Sequence, residues 1–211
     1  MTLRTHWDEV YRAKSAVSVS WYRPHLELSL ELIGRDATSQ QAAILDIGGG
    51  ASTLVDDLLG AGYEDVTVLD LAAGALAVSQ QRLGKAATSV GWIVADFLQA
   101  ELEAERYDLC HDRAVFHFLG TAEERELYLD QVGRILRPGG VLVLATFALD
   151  GPERCSGLPV SRYDEAGLMQ VVGERFGLVE SQRHSDVTPS GQVQQWMYFV
   201  LRRSTSTDSG G

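Results

Sequence analysis

The stretch LDIGGGAST, residues 45–53, decides how the rest of the chain is read: an apolar run from Ala43 to Ile47 ends in three successive glycines and leads into a helix-like segment. Such a run is what a strand buried on both faces of a parallel sheet looks like. Glycine at Gly48, Gly49 and Gly50 lets the turn pass close to a ligand with no Cβ in the way, and the following helix points its N-terminal amides at the same spot. A phosphate is not the ligand this turn suits. A P-loop needs lysine and Ser/Thr after its last glycine, and GGGASTLV has no lysine. A dinucleotide fingerprint on Gly48 and Gly50 wants a third glycine where Thr53 stands.

Outward from this turn, strand and helix patterns alternate. STLVDDLLGAG and GALAVSQQRLG read as helices, DVTVLDLA, GWIVADF and YDLCHDR as strands, and EERELYLDQVGRIL as a helix. RPGG, Arg137 to Gly140, is expected to break the chain sharply before the strand VLVLATF. DEAGLMQVVGERF then reads as a helix, and GLVESQRH and QQWMYFVLRR as two final strands. The pattern predicts an α/β fold: a doubly wound, mostly parallel, seven-stranded Rossmann-like sheet whose last strand, around Gln195 to Leu201, is antiparallel. Residues 1–40 form an aromatic arm or lid, 41–203 the domain body, and 204–211 a small polar tail expected to be disordered.

A chain of 211 residues, 45% apolar and 22% charged, buries one core. Its 29 acidic against 18 basic side chains, net −11, repel a nucleic acid backbone. Cys110 and Cys155 make no disulfide framework, no signal-peptide pattern opens the chain, and the apolar stretch Val141 to Leu149 is too short to cross a bilayer. A cytoplasmic protein with no nucleic acid or membrane partner is the expectation.

Asp46 would face a pyrophosphate at close range unfavourably, but it attracts an ammonium or sulfonium group. Asp70 ends VTVLD, where an acid can accept both hydrogen bonds of a ribose diol. Asp96, in IVADF, is placed to accept from an exocyclic amine. Each acid alone also reads as a helix or turn cap. Together with the glycine turn they describe a nucleoside carrying an amino-acid tail.

On these residues the sequence resembles the class I S-adenosylmethionine-dependent methyltransferases. LDIGGGAS is similar to the family's E/DxGxGxG motif, VLD to its ribose-binding acidic loop, ADF to its adenine-contacting segment and LRPGGVLVLATF to its post-catalytic strand, together covering roughly residues 40–150. Ser52 stands where the family has its last glycine; serine is small and can cap the next helix. The resemblance implies S-adenosyl-L-methionine as cofactor, no metal, and a cofactor site of Asp46, Gly48, Gly49, Gly50, Ser52, Asp70, Leu71, Asp96 and Phe97.

The acceptor is expected at the tip of YDLCHDRAVFHFLG. The Asn/Asp-Pro-Pro-aromatic motif of enzymes that methylate nucleic acid bases is replaced there by Cys110, His111, Asp112 and Arg113. HDRAVFHF is similar to the D-R-A or D-R-G segment of thiopurine-type S-methyltransferases, and more distantly to the D-K-G-T segment of some protein lysine methyltransferases. Asp112 and Arg113 read as catalytic or as a pair closing the strand, and His117 as a general base or as a packed ring between Phe116 and Phe118. Cys110 reads as a small core residue. Trp21 and Tyr22 beside Pro24, with Phe116 and Phe118, are expected to wall the substrate, while Trp7 and Tyr11 serve as lid or helix anchors. The arm resembles W-x-x-x-Y and S-W-Y pieces of small bacterial methyltransferases, and the loop Asp150 to Tyr163 is long enough to be a second cover. The acceptor expected is a small-molecule nucleophile, a thiol or other chalcogen compound. The alternatives are a protein lysine, which an acidic surface favours, and a non-catalytic cofactor-binding regulator.

Overall fold

The computed structural model describes residues 3–13, 18–37 and 39–204. The arm contains α1 (Leu3–Ala13), a turn at residues 18–21, and α2 (Glu27–Asp36). The body runs β1 (Ala43–Ile47), α3 (Leu54–Gly60), β2 (Asp65–Asp70), α4 (Ala73–Leu83), β3 (Val90–Val94), β4 (Tyr107–Arg113), α5 (Ala122–Ile135), β5 (Leu136–Phe147), α6 (Glu165–Val172), β6 (Phe176–Val187) and β7 (Val193–Arg203). The seven strands form one sheet in the order β3-β2-β1-β4-β5-β7-β6. β7 runs antiparallel to both neighbours, as expected, and every other strand runs with β1. The order reverses between β1 and β4, and ligands of such sheets bind at that switch point, beyond the carboxyl ends of the strands.

The side-chain period of two explains what each strand sends to each face. Ala43, Leu45 and Ile47 join Cys110, Leu142, Leu144 and the α5 residues Tyr128 and Leu129 on one side. Ile44 joins Leu109, Val143 and the α2 residues Leu28, Leu32 and Ile33 on the other. Asp46 and His111 therefore fall on the α2 face, where β1 and β4 pair them directly across, and Asp112 falls on the α5 face. The arm divides accordingly: α2 is part of the core layer, so a lid role is confined to the residues before it.

Two boundaries differ from the sequence reading. β5 begins at Leu136, not after RPGG, because Gly139 adopts a φ of 76° and absorbs a bulge where the pairing with β4 shifts between Tyr107 and Leu109. β3 ends at Val94, because the Asp96 side chain accepts from Leu98 N–H at 3.1 Å and starts a 3₁₀ turn at Phe97–Gln99. The tail expectation falls on residues 205–211, outside the described residues; Ser204 still donates its N–H to Arg175 O at 3.0 Å.

Candidate functional site

The glycine turn at the end of β1 admits no side chain. Gly48 and Gly50 have φ of 71° and 45°, the left-handed region that favours glycine. A Cβ on Gly48 would meet Val115 Cγ2 at 2.1 Å, one on Gly49 Asp46 Oδ2 at 2.2 Å, and one on Gly50 Asp70 Oδ2 at 2.8 Å. Ser52 Oγ accepts from Leu54 N–H at 3.1 Å. Arg82 on α4 stitches the far side of the turn, donating to Ala51 O, Ser52 O and the Asp56 carboxylate.

The three strand-end acids occupy three environments. Asp46 is buried, and its Oδ1 lies 2.8 Å from His111 Nδ1, whose Nε2 lies 2.9 Å from Ser29 Oγ on α2. Asp70 accepts from Ala72 N–H at 2.7 Å. Burial pushes its carboxyl up to about 7, helped by the charges of Asp46 and Asp8 and opposed by the Ala72 hydrogen bond. Asp96 caps its turn with one oxygen, beside the buried Phe97.

A cavity of 410 Å³ opens beyond β1, β2 and β4, lined by Gly48, Asp70, Leu71, Asp96 and Phe97 at one end and Trp7, Trp21, Phe118 and Cys155 at the other. A smaller one of 50 Å³ holds Asp46, Gly49, Ser52, His111, Tyr22 and Arg23. Tyr11, Trp21, Ile47, Gly48 and Arg113 belong to the walls of both. The arm rings interlock over them: Trp7 meets Trp21 at 5.6 Å and Phe118 at 5.4 Å between centroids, both edge-on. Cys155 reaches the cavity from a short hairpin pairing Arg154–Cys155 with Leu158–Pro159, so the loop after β5 does contribute cover. Burial pushes the Cys155 thiol up to about 11.

Phe118, Trp21 and Tyr22 thus stand on cavity walls. His117 and Phe116 do not, and their readings as base and substrate wall are corrected. His117 is fully buried among Phe118, Phe147 and Trp196, neither ring nitrogen has a partner among the described residues, and burial with the nearby Arg113 charge lowers its pKa to about 3. Phe116 is fully buried against Tyr128 and Tyr163. Asp112, on the α5 face, accepts from Val115 N–H, Phe116 N–H and Tyr128 O–H at 2.7, 3.0 and 2.6 Å. Its carboxylate is spent on shaping the loop that carries Val115 against Gly48, which is positioning and not contact with an acceptor. Arg113 lines both cavities, but it pairs with Asp186 at 2.5 Å, donates to Trp21 O and Tyr198 O–H at 3.2 Å each, and lies 4.1 Å above the Trp196 ring. Its partner in closing the site is Asp186 on β6, not Asp112.

Sequence reasoning missed His111, Ser29, Arg23 and Asp186. The register of two neighbouring parallel strands, each ending in a polar residue, would have pointed to His111 opposite Asp46. Nothing in the sequence links Asp186 to residues 73 positions earlier.

With this geometry in view, likeness to known proteins becomes informative. Residues 45–144 match the protein family described as a methyltransferase domain. A mouse (Mus musculus) eEF1A lysine and N-terminal methyltransferase is 24% identical over 141 residues, which span 64% of this chain and 20% of that protein's length. A structure solved in work on the conversion of a disulfide bond into a thioacetal group during echinomycin biosynthesis superposes with a TM-score of 0.78 at 20% identity, covering 99% of this chain and 96% of that one. The Burkholderia thailandensis 1,6-didemethyltoxoflavin-N1-methyltransferase, with S-adenosylhomocysteine bound, does so with 0.73 at 22% identity, covering 96% and 88%. The fold is the Rossmann-like methyltransferase fold. The methyltransferase-domain match covers a little under half of the chain. Among the described residues no helix is long and apolar enough to cross a membrane.

Proposed function

We propose that this chain moves the methyl group of S-adenosylmethionine to a small-molecule nucleophile that ionises by itself, a thiol or other chalcogen compound. The observation that carries this reading is the acceptor end of the larger cavity, which is aromatic and apolar and, among the described residues, is lined by no histidine or lysine. Arg113 is tied to Asp186 and Trp21 O. The Tyr128 hydroxyl donates to Asp112, and Glu124 Oε2 accepts from Gly120 N–H and Thr121 N–H. Burial and Asp70 push the Tyr11 hydroxyl well above the ordinary tyrosine range. A thiol, with a pKa near 8.5, needs no such base, whereas a lysine, near 10.4, must lose a proton first. The exposed Leu3 and Leu127 border the same cavity and suit an apolar acceptor.

The donor fits the residues present. Asp70 would meet the ribose hydroxyls, Leu71 and Phe97 would flank the adenine with Asp96 at its amine, and the tail would lie at the glycine turn beside Asp46, Gly49, Gly50 and Ser52. When bound, S-adenosylmethionine supplies an already activated methyl group on a sulfonium centre. The protein's own work is to align the acceptor and exclude water, a task for Trp7, Trp21 and Phe118, which wall the larger cavity together with Gly48.

The test is release of S-adenosylhomocysteine with a panel of small thiols set against lysine-bearing proteins. The expected result is turnover of thiols, with kcat/KM rising with pH up to each thiol's own pKa. Turnover confined to lysine acceptors would replace this reading with protein lysine methylation, which draws on the name of the mouse relative and the net charge of −11.

Donor binding should itself depend on pH. The Asp70 carboxyl titrates near 7 in the free protein, so below that pH it holds a proton that must leave before it can accept from both hydroxyls. Affinity measured by calorimetry should therefore fall by about tenfold per pH unit below 7 and level off above it. The sign is opposite for folding: a raised carboxyl favours the donor-free fold at low pH, an advantage lost between about pH 4 and 7. Asp70→Asn should flatten both dependences.

A further inference from the structure

We infer that Tyr128 is a positioning residue that couples the donor end of the larger cavity to the loop carrying its acceptor wall, so that donor binding fixes that loop before an acceptor arrives. The inference rests on the donor reading above, in which the adenine lies at Phe97. Tyr128 is fully buried on α5, and its ring reaches both ends of the cavity. Its centroid lies 5.1 Å from that of Phe97 and 5.0 Å from that of Phe116, which belongs to the loop after β4. Its hydroxyl donates to Asp112 Oδ2 at 2.6 Å, and the same carboxylate accepts from Val115 N–H at 2.7 Å and Phe116 N–H at 3.0 Å. One side chain thus touches both the ring beside the adenine and the acid that shapes the acceptor loop.

That loop needs holding. Ala114 has a φ of 82°, in the left-handed region that L side chains rarely adopt, and both Ala114 and Val115 line the larger cavity. Val115 Cγ2 stands where a Cβ on Gly48 would be, and Phe118, whose N–H donates to Val115 O at 3.0 Å, forms part of the aromatic wall. A shift of the loop therefore moves Val115 off the glycine turn and Phe118 off the acceptor. The ionised Asp112 carboxylate opposes such a shift. Burial pushes this carboxyl up to about 6, and the Tyr128 hydrogen bond is foremost among the contacts that hold it down, ahead of the two amides. Burial and the Asp112 charge in turn keep the Tyr128 hydroxyl well above the ordinary tyrosine range, so it stays a donor. One turn further along the same face of α5, Gln131 holds the donor end, donating to Phe97 O at 3.1 Å and Ala100 O at 2.6 Å. Both ends of the cavity are fastened to one helix. An adenine packed on Phe97 restricts that ring, and through it Tyr128 and its bond to Asp112, so the loop is ordered when the donor binds and not again when the acceptor enters.

Amide hydrogen exchange at Val115 and Phe116, whose N–H groups donate to Asp112, reads this coupling on the full chain without any acceptor. In the wild type, S-adenosylhomocysteine should slow exchange at those two amides by about 5- to 150-fold, the range of coupling between sites. In Tyr128→Phe, which keeps the ring and loses the hydroxyl, most of that slowing should vanish while calorimetry still detects S-adenosylhomocysteine binding. Asp112→Asn, which keeps the shape and loses the charge, should behave in the same way, and it carries the test if Tyr128→Phe does not fold. Faster exchange in Tyr128→Phe both with and without the ligand, its slowing by the ligand intact, would show a merely structural role and overturn the inference. So would a wild type that binds S-adenosylhomocysteine but whose loop does not respond to it. Failure of the wild type to bind S-adenosylhomocysteine would overturn the donor reading and this inference with it.

Discussion

Asp186→Ala is expected to lose about 3–5 kcal/mol of folding stability, the range for removing one partner of a buried ion pair. The Asp186 side chain is 11% exposed, and those of Arg23 and Arg113 are 11% and 6% exposed. Without Asp186 two guanidiniums stay buried with no counter-charge, which costs far more than the loss of an exposed pair. For a chain of this length the midpoint of thermal unfolding should drop by roughly 6–20 °C. Burial alone would raise the Asp186 carboxyl, but Arg113 and Arg23 together hold it below the ordinary carboxylate range. A depressed carboxyl stabilises the fold above its unfolded pKa, near 4, and the contribution is lost as pH falls through the lower folded value. The gap between wild type and Asp186→Ala should therefore be full at pH 7 and narrow in acid. Melting of the variant within 2 °C of wild type at pH 7 would mean that the network is no part of what holds the arm.

How much of this was legible in the sequence follows from the range of the interactions involved. The sheet was legible because a strand buried on both faces needs a continuous apolar run, and AAILDI and VLVLATF have no other reading of comparable strength. The donor end was legible because its requirements are local: the turn that needs glycine lies next to the strand that ends in Asp46, and Asp70 and Asp96 repeat that position. The acceptor end was not. HDRAVFHF puts chemically versatile residues side by side, yet alternation along β4 and the 3₁₀ turn after it send Asp112 to the α5 face and bury Phe116 and His117, leaving Arg113 and Phe118 on the cavity. Periodicity could have assigned the faces; it could not have said which face meets solvent. The Asp186 bridge is a product of topology, since β6 nears β4 only through the β5-β7 pairing.

Gly49→Ala is expected to weaken S-adenosylmethionine binding by roughly 10- to 150-fold, equivalent to losing one charge-assisted hydrogen bond of about 1.5–3 kcal/mol. The added Cβ would lie 2.2 Å from Asp46 Oδ2 and 2.7 Å from Val68 Cγ1, too close for either to stay where it is. Val68 is a buried β2 residue with no room to retreat, so the Asp46 carboxylate must turn. Turning it breaks the 2.8 Å contact with His111 and moves the acid off the ammonium of the tail. Stability should fall by about 1–3 kcal/mol, the usual cost of over-filling a close-fitted interior. Gly74→Ala is the matched control. Its added Cβ meets nothing within 4 Å inside α4, so it should leave donor affinity unchanged and raise stability by up to about 1 kcal/mol through helix propensity. Calorimetric affinity and a denaturant midpoint for each variant separate the two effects: lost stability with wild-type affinity at Gly49 would show that Asp46 bears on the fold but not on the donor.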